Sequence, residues 1–324
     1  MTDQQAVTGQ QSPADTAARR TEHTITVLAP AADIYRLIAD VRHWPQIFPP
    51  TLHVDHLGGD GRQERIQIWA TANGAPKSWT SRRTLDPDGL RIDFRQEVSS
   101  PPVASMGGAW IIEPLSERES RVRLLHDYRA VDDDPKALEW IDQAVDRNSG
   151  SELAALKANV ELSVAGDRTI SFEDSVSVAG TAKDVYDFLN EAGLWEQRLP
   201  HVVRVSCVED TPGLQELEMD TLAKDGSQHT TKSYRVCQAP DRIHYKQVTL
   251  PPLLTLHTGY WAIEENGEGV TVTSQHTVVI DPERIADVLG EGVGLERAKE
   301  FARQTLGANS LATLGHAKAH AERV

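Results

Sequence analysis

Apolar and polar residues alternate at Thr24-Ile25-Thr26-Val27-Leu28, and the same pattern returns at Ser175-Val176-Ser177-Val178-Ala179. A period of two predicts a strand with one buried face. A helical period follows each: Asp33 to Asp40 puts Ile34, Leu37 and Ile38 on one face, and Asp184 to Asn190 puts Val185, Phe188 and Leu189 there. Both helices lead into a tryptophan-containing turn that ends in proline, Trp44 to Pro49 and Trp195 to Pro200. Alternating segments come next, divided by turn residues at Asn73-Gly74, Asp86-Pro87-Asp88-Gly89, Asp225-Gly226 and Asn266-Gly267. A long helical pattern closes each half. The first runs from Pro135 to about Val160, with a break expected at Ser149-Gly150, and the second from about Glu283 to Glu322, broken between Gly290 and Gly294.

The two halves match at a near-constant offset of about 151 residues. Tyr35 meets Tyr186, Trp44 meets Trp195, Ser81 and Arg83 meet Ser233 and Arg235, Trp110 meets Trp261, and His126 meets His276. An offset of this size is that of a whole domain and far exceeds a solenoid repeat. The predicted organisation is a disordered tail over 1–22, an N-terminal domain over 23–165 and a C-terminal domain over 166–324. The fold class is α+β: two tandem domains, each a curved antiparallel sheet of about seven strands around a long C-terminal helix. A sheet gripping one helix leaves a cleft suited to an apolar ligand.

Composition narrows the function. With 39 % hydrophobic and 25 % charged residues in 324, the chain has ordinary globular composition. No apolar run approaches the 18 residues of a membrane span, and the first 22 residues lack the apolar stretch of a signal peptide, so a cytoplasmic protein without membrane contact is expected. Two cysteines, Cys207 and Cys237, give no disulfide framework, and the net charge of −15 argues against nucleic acid as a partner. Phosphate-binding loops, dinucleotide fingerprints and metal-ligand spacings do not occur, so neither cofactor nor metal is expected.

Trp79-Thr80-Ser81-Arg82-Arg83 carries the most chemistry. On a strand, Trp79, Ser81 and Arg83 share a face, and an inward guanidinium requires a partner. One reading has Arg83 holding a carbonyl or enolate oxygen; the other leaves it solvated. Trp44 can close the cleft or pack in the core. Trp69 is out of phase with Ile66 and Ile68, and Tyr35 fits a core position. His126 and Tyr128 share a face that Asp127 cannot join, and His126 is a candidate proton shuttle because imidazole titrates near neutrality. Pro101-Pro102 and Pro251-Pro252 mark turns in the sheet.

The tryptophan turn, the Trp-Thr-Ser-Arg-Arg strand, the repeated Pro-Pro and the long terminal helix resemble the di-domain aromatase/cyclases of bacterial type II (aromatic) polyketide synthases. These belong to the START/Bet v 1-like helix-grip superfamily. The resemblance implies first-ring cyclisation or dehydrative aromatisation of a poly-β-ketone tethered to an acyl carrier protein, with other synthase components as partners. It implies catalytic roles for Arg83 and Ser81; His126 and Tyr128 join them as candidates from their shared strand face, with a surface strand position as the other reading of His126. Substrate contacts are expected from Trp44, Trp69, Trp79, Trp110 and Tyr35, and in the second half from Ser233, Arg235, Trp195, Trp261 and His276. Thr231 stands where the pattern has Trp79. Arg83→Ala is expected to fold normally and misdirect cyclisation. Carrier docking is expected at Arg42 and His43 or at Arg198 and His201. The alternative reading is a non-catalytic carrier of hydrophobic ligands.

Overall fold

The structure, a computed structural model, describes residues 18–162, 167–222, 226, 228–267 and 269–323. Most of the expected tail, Asp225 of one turn and the expected 165/166 boundary lie outside the described residues. The first half runs β1 (Arg19–Val27), α1 (Ala31–Ala39), a short turn of 3-10 helix (Val41–His43), α2 (Trp44–Ile47), then β2 (Thr51–Gly59), β3 (Gln63–Ala72), β4 (Ala75–Asp86), β5 (Arg91–Val98), β6 (Val103–Ser116), β7 (Glu119–Ala130) and α3 (Pro135–Leu162). The second repeats it: β8 (Thr169–Val178), α4 (Ala182–Asn190), α5 (Trp195–Arg198), β9 (Val202–Thr211), β10 (Leu214–Leu222), β11 (Gln228–Gln238), β12 (Arg242–Thr249), β13 (Leu254–Asn266), β14 (Gly269–Ile280), α6 (Ile285–Leu289) and α7 (Leu295–Ala321). Each half forms a seven-stranded antiparallel sheet with its first strand beside its last, in the orders β1-β7-β6-β5-β4-β3-β2 and β8-β14-β13-β12-β11-β10-β9. The chain is two helix-grip domains in tandem.

Local chemistry explains the turns. Asn73 and Gly74 carry φ of 50° and 79°, the left-handed pair that a two-residue hairpin between β3 and β4 requires. Pro101-Pro102 and Pro251-Pro252 fall between β5 and β6 and between β12 and β13. Two boundaries differ from the sequence reading. β1 begins at Arg19, inside the expected tail, because its helix-facing positions include Thr21 and His23, and His23 Nε2 lies 3.0 Å from Asp146. Such polar inward residues erase the alternation. α3 is continuous through Ser149-Gly150: Ser149 is buried, and packing on the sheet carries the helix across the glycine.

The domains meet where β2 lies against β11 and β12. Leu52 and Trp69 pack with Leu214, Tyr234 and Val236, His53 stacks on His244 with centroids 3.6 Å apart, and the Tyr234 hydroxyl donates to the Gly74 carbonyl at 2.9 Å. Trp69 therefore packs at the domain boundary and is not among the residues that line the first domain's inner cavity. Ile66 and Ile68 take the inward face of β3 and send Trp69 to the domain boundary, which corrects its expected substrate role.

Candidate active site

In the first domain a cavity of about 100 Å³ lies between sheet and helix, lined by residues that include Trp44, Trp79, Ser81, Arg83, Trp110 and His126. The parity expected for β4 holds, with Ser81 and Arg83 2 % and 1 % exposed. A wider hollow of about 540 Å³ on the outer face of the same sheet is bordered by Arg20, Glu22 and Arg91. Its Arg91 and Arg95 are already paired with Asp93 and Asp127. Thr21 and His126, whose Oγ1 and Nδ1 are buried without a partner, border it as well, but the aromatic walls, Arg83 and Gln96 lie on the inner side, so the inner cavity is the better site.

Arg83 is satisfied by the protein itself. Its Nη2 and Nη1 donate to the carbonyls of Ile38 and Ala39 at 3.0 and 3.2 Å. Nη1 also lies 2.8 Å from Glu64 Oε1, and the guanidinium covers the Trp44 ring at 5.0 Å. The two carbonyls end α1, where orphan acceptors and the helix dipole favour a cation. Arg235 repeats the arrangement: Nη2 donates to Leu189 at the end of α4 at 2.6 Å, Nη1 to Gln215 at 2.8 Å, and Trp195 lies beneath at 5.3 Å. The recurrence of this arginine thus has a structural cause, and Arg83→Ala is not neutral for folding as the sequence reading expected. Burial lowers the Arg83 pKa to about 10, against the pull of Glu64, so it stays charged at neutral pH.

The remaining expected residues divide. Tyr35 is core, packed from α1 away from the cavity lining. Tyr128 is fully buried outside the cavity, and its hydroxyl donates to Asp142 at 2.6 Å, so it ties sheet to α3; this corrects its expected catalytic place. His126 borders the cavity, but burial lowers its pKa to about 4, so it is a neutral imidazole at pH 7 and not a shuttle poised near neutrality. In the second domain Trp195 and Trp261 are core, and Ser233 and His276 are buried.

Sequence reasoning missed the groups that complete the site. Glu152 projects from α3 into the cavity lining, forms no hydrogen bond or ion pair among the described residues, and is pushed up to about 8 by burial, so it holds its proton at neutral pH. It is partly exposed and borders the cavity. The signal was present: Glu152 follows inward Ser149 by three positions and precedes inward Leu156 by four. The expected helix break hid it. Phe94, Gln96 and Met106 also line the cavity. Gln96 Oε1, His126 Nδ1 and Ser149 Oγ are buried without a partner, a condition native interiors tolerate rarely and mainly at functional sites.

The second domain answers these atoms internally. Tyr245, which pairs with Arg235 and Gly259 as Phe94 does with Arg83 and Gly108, brings a hydroxyl 2.8 Å from His276 Nδ1. His257 stands 2.9 Å from His276 and 2.9 Å from Gln247, and Ser310 lies 2.5 Å from His276 Nε2. Small residues on α7, among them Ala298, Ala302 and Ala317, bring that helix close to the sheet. Phe94 to Tyr245 and Met106 to His257 convert an open polar lining into a closed network. Among the described residues no group of three or more His, Cys, Asp or Glu side chains is placed to hold a metal.

Comparison with known proteins matches residues 27–141 and 169–322 to two family models, each described as polyketide cyclase / dehydrase and lipid transport. The chain is 58 % identical over 245 residues to a granaticin polyketide synthase bifunctional cyclase/dehydratase of Streptomyces virginiae, covering 75 % of this chain and 80 % of that one. It is 44 % identical over 313 residues to the actinorhodin counterpart of Streptomyces coelicolor, covering 93 % and 96 %. Among solved structures, the di-domain ARO/CYC BexL from the BE-7585A biosynthetic pathway superposes with a TM-score of 0.84 at 60 % identity, covering 94 % of this chain and 99 % of that one.

Proposed function

The chain belongs to the polyketide cyclase/dehydrase and lipid transport family, and from that premise we propose that it is a cytoplasmic aromatase/cyclase of an aromatic polyketide synthase. It closes the first ring of a carrier-protein-bound poly-β-ketone by aldol addition and removes water to aromatise it. The observation that carries this reading is the first cavity's set of unpartnered polar atoms, Gln96 Oε1 and His126 Nδ1, beside a charged Arg83 and a protonated Glu152. An oxygenated chain would satisfy them, whereas a plain lipid tail would not.

Each step follows from the residue types. A carbon between two carbonyls is acidic and reaches its enol without a strong base; His126, low in basicity but with Nδ1 unpartnered, accepts the enol proton only as the ring closes. The new carbon–carbon bond leaves negative charge on the attacked carbonyl oxygen, which the Arg83 field stabilises. Glu152 gives its proton to that oxygen; its carboxylate then removes the neighbouring hydrogen while the His126 imidazolium protonates the departing hydroxyl, so water leaves and both groups regain their starting states. The walls, Trp44, Phe48, Trp79 and Trp110, fix the register in which the chain folds. The test is product profiling in a reconstituted synthase with Glu152→Gln. Correctly cyclised product is expected to fall in favour of spontaneous shunts, and the wild-type rate is expected to fall above about pH 8 as Glu152 ionises. A product profile identical with and without the protein would favour the carrier reading instead.

A further inference from the structure

One cation of the second domain reaches the first domain's site. Lys246 on β12 is 5 % exposed and points away from its own domain's core, on the face opposite Tyr245. Its ammonium donates to the carbonyls of Phe48 and Thr51 at 2.8 and 2.9 Å. That segment carries the Phe48 ring, which lines the cavity, stacks on Trp110 at 5.8 Å and meets Trp44 edge-on at 5.4 Å. Glu152, which lines the cavity and has no hydrogen bond or ion pair among the described residues, and Lys246 act on each other's charge.

We propose that Lys246 is a positioning residue of the first domain's cavity supplied by the second domain: it fixes the backbone carrying the Phe48 wall and, while protonated, biases Glu152 toward its carboxylate. The second domain, whose own cleft is closed by its histidine network, thereby takes part in the first domain's chemistry. The physical case rests on desolvation. A lysine is buried at a domain boundary only where acceptors hold it, and one acceptor here, the Phe48 carbonyl, belongs to a residue whose ring lines the cavity, the other to Thr51 three positions on. The ionisable groups around Glu152 are Arg83 from β4, His126 from β7 and Lys246 from β12. Arg83 is engaged by Glu64 and two carbonyls, and His126 is neutral, which leaves Lys246 as the charge that acts on Glu152. Burial lowers the Lys246 pKa to about 7 and Glu152 opposes that shift; burial raises Glu152 to about 8 and Lys246 opposes that one. The two carbonyl acceptors further favour the ammonium.

The catalytic consequence rests on the function proposed above; the electrostatic pairing does not. The test uses the full chain with ¹³C-labelled glutamate, following the Glu152 carboxyl by NMR against pH. In Lys246→Met the Glu152 midpoint is expected to rise above its wild-type position, because a cation favouring the carboxylate has gone, and Lys246→Arg is expected to restore it. Product profiling of the same variants reads the wall: a displacement of about 1 Å costs about a hundredfold in rate. The high-pH limb of the rate should move with the NMR midpoint, which simple loss of packing would not do. If Lys246→Met fails to fold, Glu152→Gln reads the same coupling from the other side, and the Lys246 ammonium should titrate lower than in the wild type. An unmoved midpoint in either folded variant overturns the proposal. A moved midpoint with unchanged products would support the pairing and sink the catalytic reading.

Discussion

Removing the Arg83 guanidinium tests whether the repeated arginine holds the fold as well as the site. Arg83→Ala strands the Ile38 and Ala39 carbonyls at the end of α1 and leaves Glu64 facing a space without its cation. Breaking a buried ion pair by deleting one partner costs about 3–5 kcal/mol, a large share of the roughly 5–15 kcal/mol that holds a domain together. Arg235→Ala strands only neutral acceptors, the Leu189 carbonyl and the Gln215 side chain, so about 1–3 kcal/mol is expected. At about 2–4 °C per kcal/mol for domains of this size, Arg83→Ala should lower its domain's melting temperature by about 6–20 °C, and Arg235→Ala by clearly less. Differential scanning calorimetry of the full chain reads both. Product profiling below the lowered transition then separates folding from chemistry, and only Arg83→Ala should increase shunt products. The reasoning fails if Arg83→Ala melts with the wild type, or if Arg235→Ala is the more damaging change.

Acid should unfold the second domain first. His257 and His276 are held at about 3 and 4 by burial, so their contribution to stability is fully present above the unfolded pKa of about 6.5 and is lost as pH falls toward the folded values, by about 2 kcal/mol per imidazole at pH 5. In the first domain His126 behaves likewise, but Glu152, raised to about 8, gains stability as pH falls and offsets it; a calorimetric profile in which the first domain is the more acid-sensitive would refute this. Gly108→Ala and Gly259→Ala should each disrupt their sheet, because an added Cβ would lie 1.8 Å from the Leu125 carbonyl oxygen or 2.1 Å from that of Gln275; wild-type melting in either would contradict the close strand approach. Arg42 and Arg198 are paired with Asp40 and Glu191, so neither expected docking patch is an unbalanced positive surface. Arg42→Glu and Arg198→Glu should still weaken carrier-protein binding at low salt and less so at moderate salt, and unchanged binding of both at either salt would place docking elsewhere.

The duplication, the order of elements and the inward face of β4 were legible in the sequence because they rest on local rules. Strand alternation put Ser81 and Arg83 on the buried face, and the offset of about 151 residues announced two copies of one domain. What failed were roles that depend on residues distant in the chain. The same parity rule that placed Tyr128 on the inward face with His126 could not reveal Asp142 waiting for its hydroxyl. Trp69 needed a neighbouring domain to explain its outward face. The imidazole of His126 has an ordinary pKa in solution, and only the depth of its surroundings makes it neutral. Glu152 and Lys246 lie 94 positions apart in two separate domains. Periodicity reports which way a side chain points, but desolvation and charge coupling act through space, so the protonation of this cavity was decided by the tertiary structure alone.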